Sequence, residues 1–140
     1  MIRQFTTEFV LSSRGKGPIE FTDQVVDWVR SCGVATGLLT LYIRHTSASL
    51  LIQENADPEV LRDLERFMSR LVPDGDRMFR HDSEGPDDMP AHVRSALTTT
   101  NLSIPVLGGA PALGTWQGIY LYEHRTAQHR RRVVGHLLGE

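Results

Sequence analysis

One cysteine, Cys32, is the whole thiol content of this 140-residue chain. A lone cysteine makes no internal disulfide and excludes a Cys-rich zinc framework. Long apolar runs are missing as well: each falls far short of the roughly 20 residues that a membrane span needs. The alternating Met1–Val10 stretch has no apolar signal-peptide core, so the expected location is cytoplasmic, with no membrane partner. Positive charge is not in excess. With 17 acids against 15 lysines and arginines and a formal net charge of -2, the chain lacks a general nucleic-acid footprint. It also lacks a glycine-rich phosphate loop, a Gly-x-Ser-x-Gly elbow and a dinucleotide fingerprint. Its length excludes an eight-stranded β/α barrel, which takes about 250 residues, and a two-domain enzyme with its site in the cleft between them. What it has is 40% hydrophobic residues, enough for one core and one domain over residues 1–140, and six histidines.

Phe5, Phe9 and Leu11 share one parity and predict a half-buried strand over Arg3–Leu11. Arg14–Pro18 reads as a turn or loop. Phe21, Val25, Trp28, Val29 and Cys32 follow helical spacing, with Thr22 as N-cap and Gly33 at the exit. Leu39, Leu41 and Ile43 make the buried face of a strand, and His45 continues their parity at its end. Leu50–Ile52 predicts a paired strand. Asp57-Pro58 opens a second helix, Asp57 as N-cap and Pro58 at the first helical position, with Val60, Leu64, Phe67, Met68 and Leu71 as its buried stripe. A polar loop over Asp74–Asp88 follows, of a length compact domains usually keep for a reason. A short helix from about Pro90 is expected to turn Val93, Ala96 and Leu97 inward. Pro105 predicts an edge position for the next strand, and two further strands cover Thr115–Arg125 and Arg131–Leu138. Strands mixed with three helices, without regular βαβ alternation, predict an α+β fold.

Several groups of residues could carry chemistry. His45-Thr46-Ser47-Ala48-Ser49 offers a strand-end imidazole and several hydroxyl donors to an anion, or else an ST-turn beside a core histidine. Glu54 is a carboxylate at a pocket mouth or an ordinary exposed acid. His81 and His92 flank Asp82, Glu84, Asp87 and Asp88; three histidines with His45 would suit a catalytic zinc site with an open position, although the spacing matches no short zinc motif, and two surface histidines in an acidic loop is the competing reading. Glu123 shares a face with Ile119 and Leu121, so it points inward and needs a partner. Arg125 is the expected one, as a salt bridge or a catalytic pair. Gly114-Thr115-Trp116-Gln117-Gly118 brings backbone close to a ligand or bulges an edge strand. Arg130-Arg131-Arg132 reads as a solvated or subunit-facing patch.

Three segments together resemble one small-protein family: His45-Thr46-Ser47-Ala48-Ser49 with Glu54-Asn55-x-Asp57-Pro58; His81-Asp82-x-Glu84-Gly85-x-Asp87-Asp88-Met89-Pro90-x-His92; and Gly114-Thr115-Trp116-Gln117-Gly118-Ile119 with Glu123-His124-Arg125. The chain is similar to the YjbQ-like family, named secondary thiamine-phosphate synthase. The resemblance implies an α+β sandwich of mixed or antiparallel sheets with about three helices, and a homotrimer. It implies a transferase activity that joins an aminopyrimidine-methyl diphosphate to a thiazole phosphate. It also implies His45, His81 and His92 as metal ligands, Glu54, Asp88 and Glu123 as pocket carboxylates, and Ser47, Ser49 and Arg125 as phosphate holders, with Thr46 and Gln117 beside them. The metal is expected to be divalent, zinc foremost because imidazole favours it, with Mg²⁺ arriving on a diphosphate substrate. Two other uses of the pocket stand beside the synthase: hydrolysis by metal-bound hydroxide, and non-catalytic binding of a small phosphorylated metabolite by a trimer.

Overall fold

The computed structural model describes residues 1–140. Its elements run β1 (Arg3–Ser12), β2 (Gly17–Glu20), α1 (Thr22–Cys32), β3 (Gly37–Ile43), β4 (Ala48–Glu54), α2 (Pro58–Leu71), α3 (Asp88–Leu97), β5 (Asn101–Leu107), β6 (Ala110–Pro111), β7 (Gln117–Glu123) and β8 (Arg130–Gly139). Five strands form one sheet in the order β1-β8-β3-β5-β6, and three form a second in the order β2-β7-β4. Every pairing between these strands is antiparallel. The fold is α+β, with three helices. No helix is long and apolar enough to cross a membrane.

Strand parity builds the core. Phe9 and Leu11 of β1, Leu39, Leu41 and Ile43 of β3, and Val133 and Leu137 of β8 meet Leu50, Ile119 and Leu121 of the smaller sheet and Val25 and Val29 of α1. Alternation puts these side chains on one face of each sheet, and burying them is the main favourable term in folding. Gly135 of β8 is part of the same design. A Cβ there would stand 3.0 Å from Phe9 Cε2 and 3.3 Å from Trp28 Cζ3, so glycine lets the aromatic pair close over the strand. Pro105 sits on β5, whose outer side is paired only by the two-residue β6 at Val106 and Leu107; a residue without an N–H is tolerated on such an edge.

Four expectations need correction. The segment read as a loop ends sooner than expected: its last two residues, Gly17 and Pro18, open β2, which is paired to β7 from Gly17↔Glu123 to Glu20↔Tyr120. Thr22 does not cap α1, whose N-cap is Phe21; the Thr22 hydroxyl instead donates to Glu20 at 2.7 Å and accepts the Ile119 N–H at 2.8 Å, tying the helix start to β7. Asp57 does cap α2, accepting the Glu59 N–H at 2.9 Å with Pro58 behind it, yet the expected stripe is only half in place: Val60, Leu64 and Met68 are half-buried, while Phe67 is 62% and Leu71 55% exposed. In α3 the buried residues are Asp88, Pro90, Ala91 and Arg94, and Leu97 is exposed. Both helices are rotated away from their apolar stripes because ionic partners hold them: Glu65 of α2 with Arg94 of α3, and Asp88 with Arg125.

The layer between α2, α3 and the smaller sheet is therefore polar. His124 is wholly buried there, its Nε2 2.9 Å from Ser49 Oγ. Burial first, and the charge of Arg94 second, push its pKa down to about 3. In the unfolded chain a histidine titrates near 6.5, so between these values the unfolded state binds the extra proton and stability rises with pH. The unfolding free energy from denaturant titration should fall as pH is lowered below about 6.5, by up to about 1.4 kcal/mol per pH unit from this residue. A His124→Gln variant should show a flatter dependence over that range; an unchanged slope would remove His124 as its source.

Candidate metal centre

The loop after α2 returns to the body of the protein at α3, and three side chains meet there. His81 stands in the loop, Asp88 opens α3, and His92 follows one turn later, a spacing that places the last two on one helix face. Asp88 Oδ2 lies 2.8 Å from His81 Nε2 and 3.3 Å from His92 Nε2. One ligand atom from each residue lies within 4.8 Å of the other two. Zinc–ligand distances are about 2.0–2.2 Å, so a single ion fits among the three. Two imidazoles with one carboxylate is a donor set for zinc or another divalent transition metal, not for a bare magnesium ion. Burial alone would raise the Asp88 carboxyl; the hydrogen bond from His81 and the charge of Arg125 outweigh it and hold the group below the usual carboxylate range.

Arg125 sets the position of this loop. Its Nε donates to Asp87 Oδ2 at 2.9 Å, its Nη1 to Asp88 Oδ1 at 2.8 Å, and its Nη2 to the Glu84 carbonyl at 2.9 Å. Asp87 also accepts from the Thr126 N–H and hydroxyl, at 2.9 and 3.1 Å. Burial opposes ionisation of Asp87, but the bonds from Arg125 and Thr126 prevail and hold it far below its ordinary value. Asp88 thus spends one oxygen on Arg125 and presents the other to the histidines.

His45 lies outside the cluster. The Arg132 backbone N–H donates to its Nε2 at 2.8 Å, so the neutral ring carries its proton on Nδ1. Burial, followed by the charge of Arg131, lowers its pKa. His45 and His92 nevertheless line one groove of about 600 Å³, together with Thr46, Ser95 and Thr100, while His81 lines a second groove of about 440 Å³.

The remaining predicted site residues fall elsewhere. Glu123 is buried as its parity requires, but its side-chain partner is Arg131, whose Nε donates to Oε1 at 2.8 Å and whose Nη2 reaches Oε2; Arg125 contributes only its backbone N–H, at 3.1 Å. Burial would raise the Glu123 carboxyl, and the Arg131 bonds reverse the direction. Ser47 Oγ accepts from Arg131 at 3.0 Å, and Ser49 bonds His124, so neither hydroxyl is directed to a phosphate. Glu54 and Gln117 pair with each other at the far end of the smaller sheet. A seven-residue strand separates them from the Ser47 end, about 20 Å at some 3.3 Å per residue. Arg131 was missed because it stands among three arginines, although it alternates in phase with Val133 and Leu137, the signal of an inward face.

The model of the UPF0047, YjbQ-like family matches residues 7–140. The chain belongs to that family. A UPF0047 protein from Synechocystis is 51% identical over 99% of this chain and 94% of its own, and the YjbQ protein of Escherichia coli O157:H7 is 45% identical over 93% and 94%. Among solved structures, one from Aeropyrum pernix superposes with a TM-score of 0.87 at 29% identity over 97% of this chain and 99% of that one. Another, from Sulfolobus solfataricus, gives 0.90 at 21% identity over the whole of both chains and supports the fold alone.

Membership of the YjbQ-like family overturns the expected thiamine-phosphate synthase activity. The family model and these relatives carry UPF0047 or YjbQ names that describe no reaction, and the Sulfolobus member is described as a protein of unknown function. The geometry agrees: Ser47, Ser49 and the Arg125 fork, the groups expected to hold a diphosphate, are bonded within the protein.

The Glu123–Arg131 pair gives a test of its structural weight. Removing one partner of a buried ion pair leaves the other uncompensated, at about 3–5 kcal/mol. Glu123→Gln should lower urea stability on that scale, whereas Glu123→Leu with Arg131→Met should recover most of it. A single variant as stable as wild type would show the pair to be dispensable.

Proposed function

We propose that His81, Asp88 and His92 hold one divalent transition-metal ion, zinc foremost, and that the groove shared by His92 and His45 receives the oxyanion of a small phosphorylated metabolite beside it. The convergence of two imidazole nitrogens and one carboxylate oxygen within 4.8 Å carries this reading. Such an ion supplies Lewis acidity and open positions for water or an anion. The chain's own residues do the rest. Asp88 arrives ionised and oriented by Arg125, the support from behind that metal-ligating carboxylates need. His45 offers an Nδ1–H and Thr46 a hydroxyl on the groove, and no carboxylate lines it. Magnesium enters this reading only as a companion of the phosphate, because two imidazoles serve it poorly.

Metal content of the purified protein, and of protein dialysed against Zn²⁺, tests the reading. The expected result is one ion per chain, lost in His81→Ala and His92→Ala and retained in His45→Ala. Arg125→Gln should weaken metal affinity about 10- to 100-fold, as removal of a supporting group does. Uptake should decline at acid pH, since both imidazoles must be unprotonated to bind. Failure to take up Zn²⁺, or a content unchanged in His81→Ala, overturns the proposal.

A homotrimer belongs to the same reading. Leu38, Tyr42 and Leu138 stand 44, 51 and 38% exposed; they occupy the sheet face opposite the core, and Leu38 lies directly across from Leu138, an apolar patch of the kind that marks association. Light scattering should give three times the mass of one chain, reduced by Leu38→Asp. A monomeric mass for the wild type sinks this part.

A further inference from the structure

Arg94 is wholly buried beneath α2. Its Nη2 donates to Glu65 Oε1 and, at 3.1 Å, to the Tyr122 hydroxyl. Its Nε and Nη1 have no partner in the protein, and neither has Nδ1 of His124. The Arg94 guanidinium carbon is 5.3 Å from the Tyr122 ring centroid, and the Tyr122 and His124 centroids are 4.5 Å apart, so the three groups form one contiguous cluster. An unsatisfied buried polar group costs about 1–3 kcal/mol, and more on a charged group. Native proteins keep few of them, and each calls for an explanation.

Glu65 is the one carboxylate in contact with Arg94. Its side chain is 22% exposed and lines a groove of about 480 Å³ between β2 and α2. Three cations, Lys16, Arg62 and Arg66, line the same groove, and Glu65 is the sole acid among its walls. The carboxylates that neutralise these cations, Asp74, Glu59 and Asp63, lie outside it. No residue of α2 is fully buried, so its contacts with the sheet are those of an element able to shift at modest cost.

We infer that this groove is an oxyanion site in which Glu65 occupies the anion's place on Arg94. A phosphate group, free or at the end of a small metabolite, displaces the Glu65 carboxylate from Arg94 Nη2 and takes up that nitrogen together with an unused N–H of Nε or Nη1 beside it, a planar fork suited to phosphate oxygens. The cations on the groove walls draw it in. No covalent step is involved. This site is separate from the metal centre, whose histidines line other grooves.

Titration of the intact, ¹⁵N-labelled protein with inorganic phosphate, and then with glycerol phosphate, tests the inference through the side-chain signals of Arg94 and His124. Both signals should shift saturably in wild type and equally in His81→Ala, which separates this site from the metal centre. Glu65→Gln should bind phosphate at least tenfold more tightly, because the competing negative charge is gone, and Arg62→Ala several-fold more weakly. Saturation by glycerol phosphate alone assigns the site to a metabolite's phosphate; saturation by both assigns it to the group itself. Arg94 and His124 signals that stay fixed in wild type and in folded Glu65→Gln overturn the inference and leave an internal water as the partner of the orphan donors. Should Glu65→Gln fail to fold, Arg62→Ala decides: unchanged phosphate affinity there also overturns it.

Discussion

The Arg125 guanidinium is the constraint on which the candidate centre depends. The loop that carries His81 is polar and largely exposed, and of its large apolar side chains Phe79 is half-buried and Met78 faces solvent. Ordering a residue costs about 1–2 kcal/mol in backbone entropy alone, and a hydrogen bond to a charged group returns about 1.5–3 kcal/mol. One bond therefore cannot order the stretch from His81 to Asp88. Three bonds from Arg125 and two from Thr126 converge on Glu84, Asp87 and Asp88, and acting together they are of the right size. The same fork gives Asp88 its orientation, so loop order and ligand geometry come from one interaction.

Three consecutive residues at the end of β7 divide the labour. Glu123 continues the inward face of the strand and meets Arg131 of β8, joining the two sheets through a pair that is almost wholly buried. His124 continues the opposite face, with Tyr122, and enters the layer under α2. Arg125, just beyond the strand, turns to the acidic loop. Alternation alone sends neighbouring side chains to opposite faces, which lets one short segment serve the core, the covering helices and the metal site. It also couples them: displacing the end of β7 would disturb all three.

How much of this was legible follows from which signals are local. Strand parity places Leu39, Leu41, Ile43, Ile119 and Leu121 in the core, and Asp57-Pro58 marks a helix start that the structure keeps, because both signals act within a few residues. The three sequence blocks that resemble the family come together only in part: His45 and His92 share a groove and Arg125 holds Asp88. His45 is bonded to the Arg132 N–H, and Glu54 and Gln117 stand at the other end of their sheet. Proximity of that kind depends on strand order and on register, which periodicity leaves open. Partner choice is harder still. Glu123 announces a need for a cation, and Arg125 is nearer in sequence, but side chains two apart on a strand lie roughly 7 Å apart along it, whereas Arg131 faces inward across the interior.

The orientation of α2 shows how such pairings override an apolar pattern. Val60, Leu64, Phe67, Met68 and Leu71 define one stripe, but the side that faces the sheet keeps only part of it: Leu64 and Met68 are half-buried there with Leu61 and Glu65, and the face runs on to buried Val72. Turning the helix to bury Phe67 and Leu71 would gain about 1.5–3 kcal/mol for each. It would also carry Glu65 off Arg94 and leave a buried guanidinium unpaired, at about 3–5 kcal/mol, while withdrawing Leu61 and Val72 from contact. The two sets of terms are close in size, so hydrophobicity alone does not choose the orientation. The ion pair does, and for that reason α2 lies over a charged layer with two large apolar side chains left facing solvent.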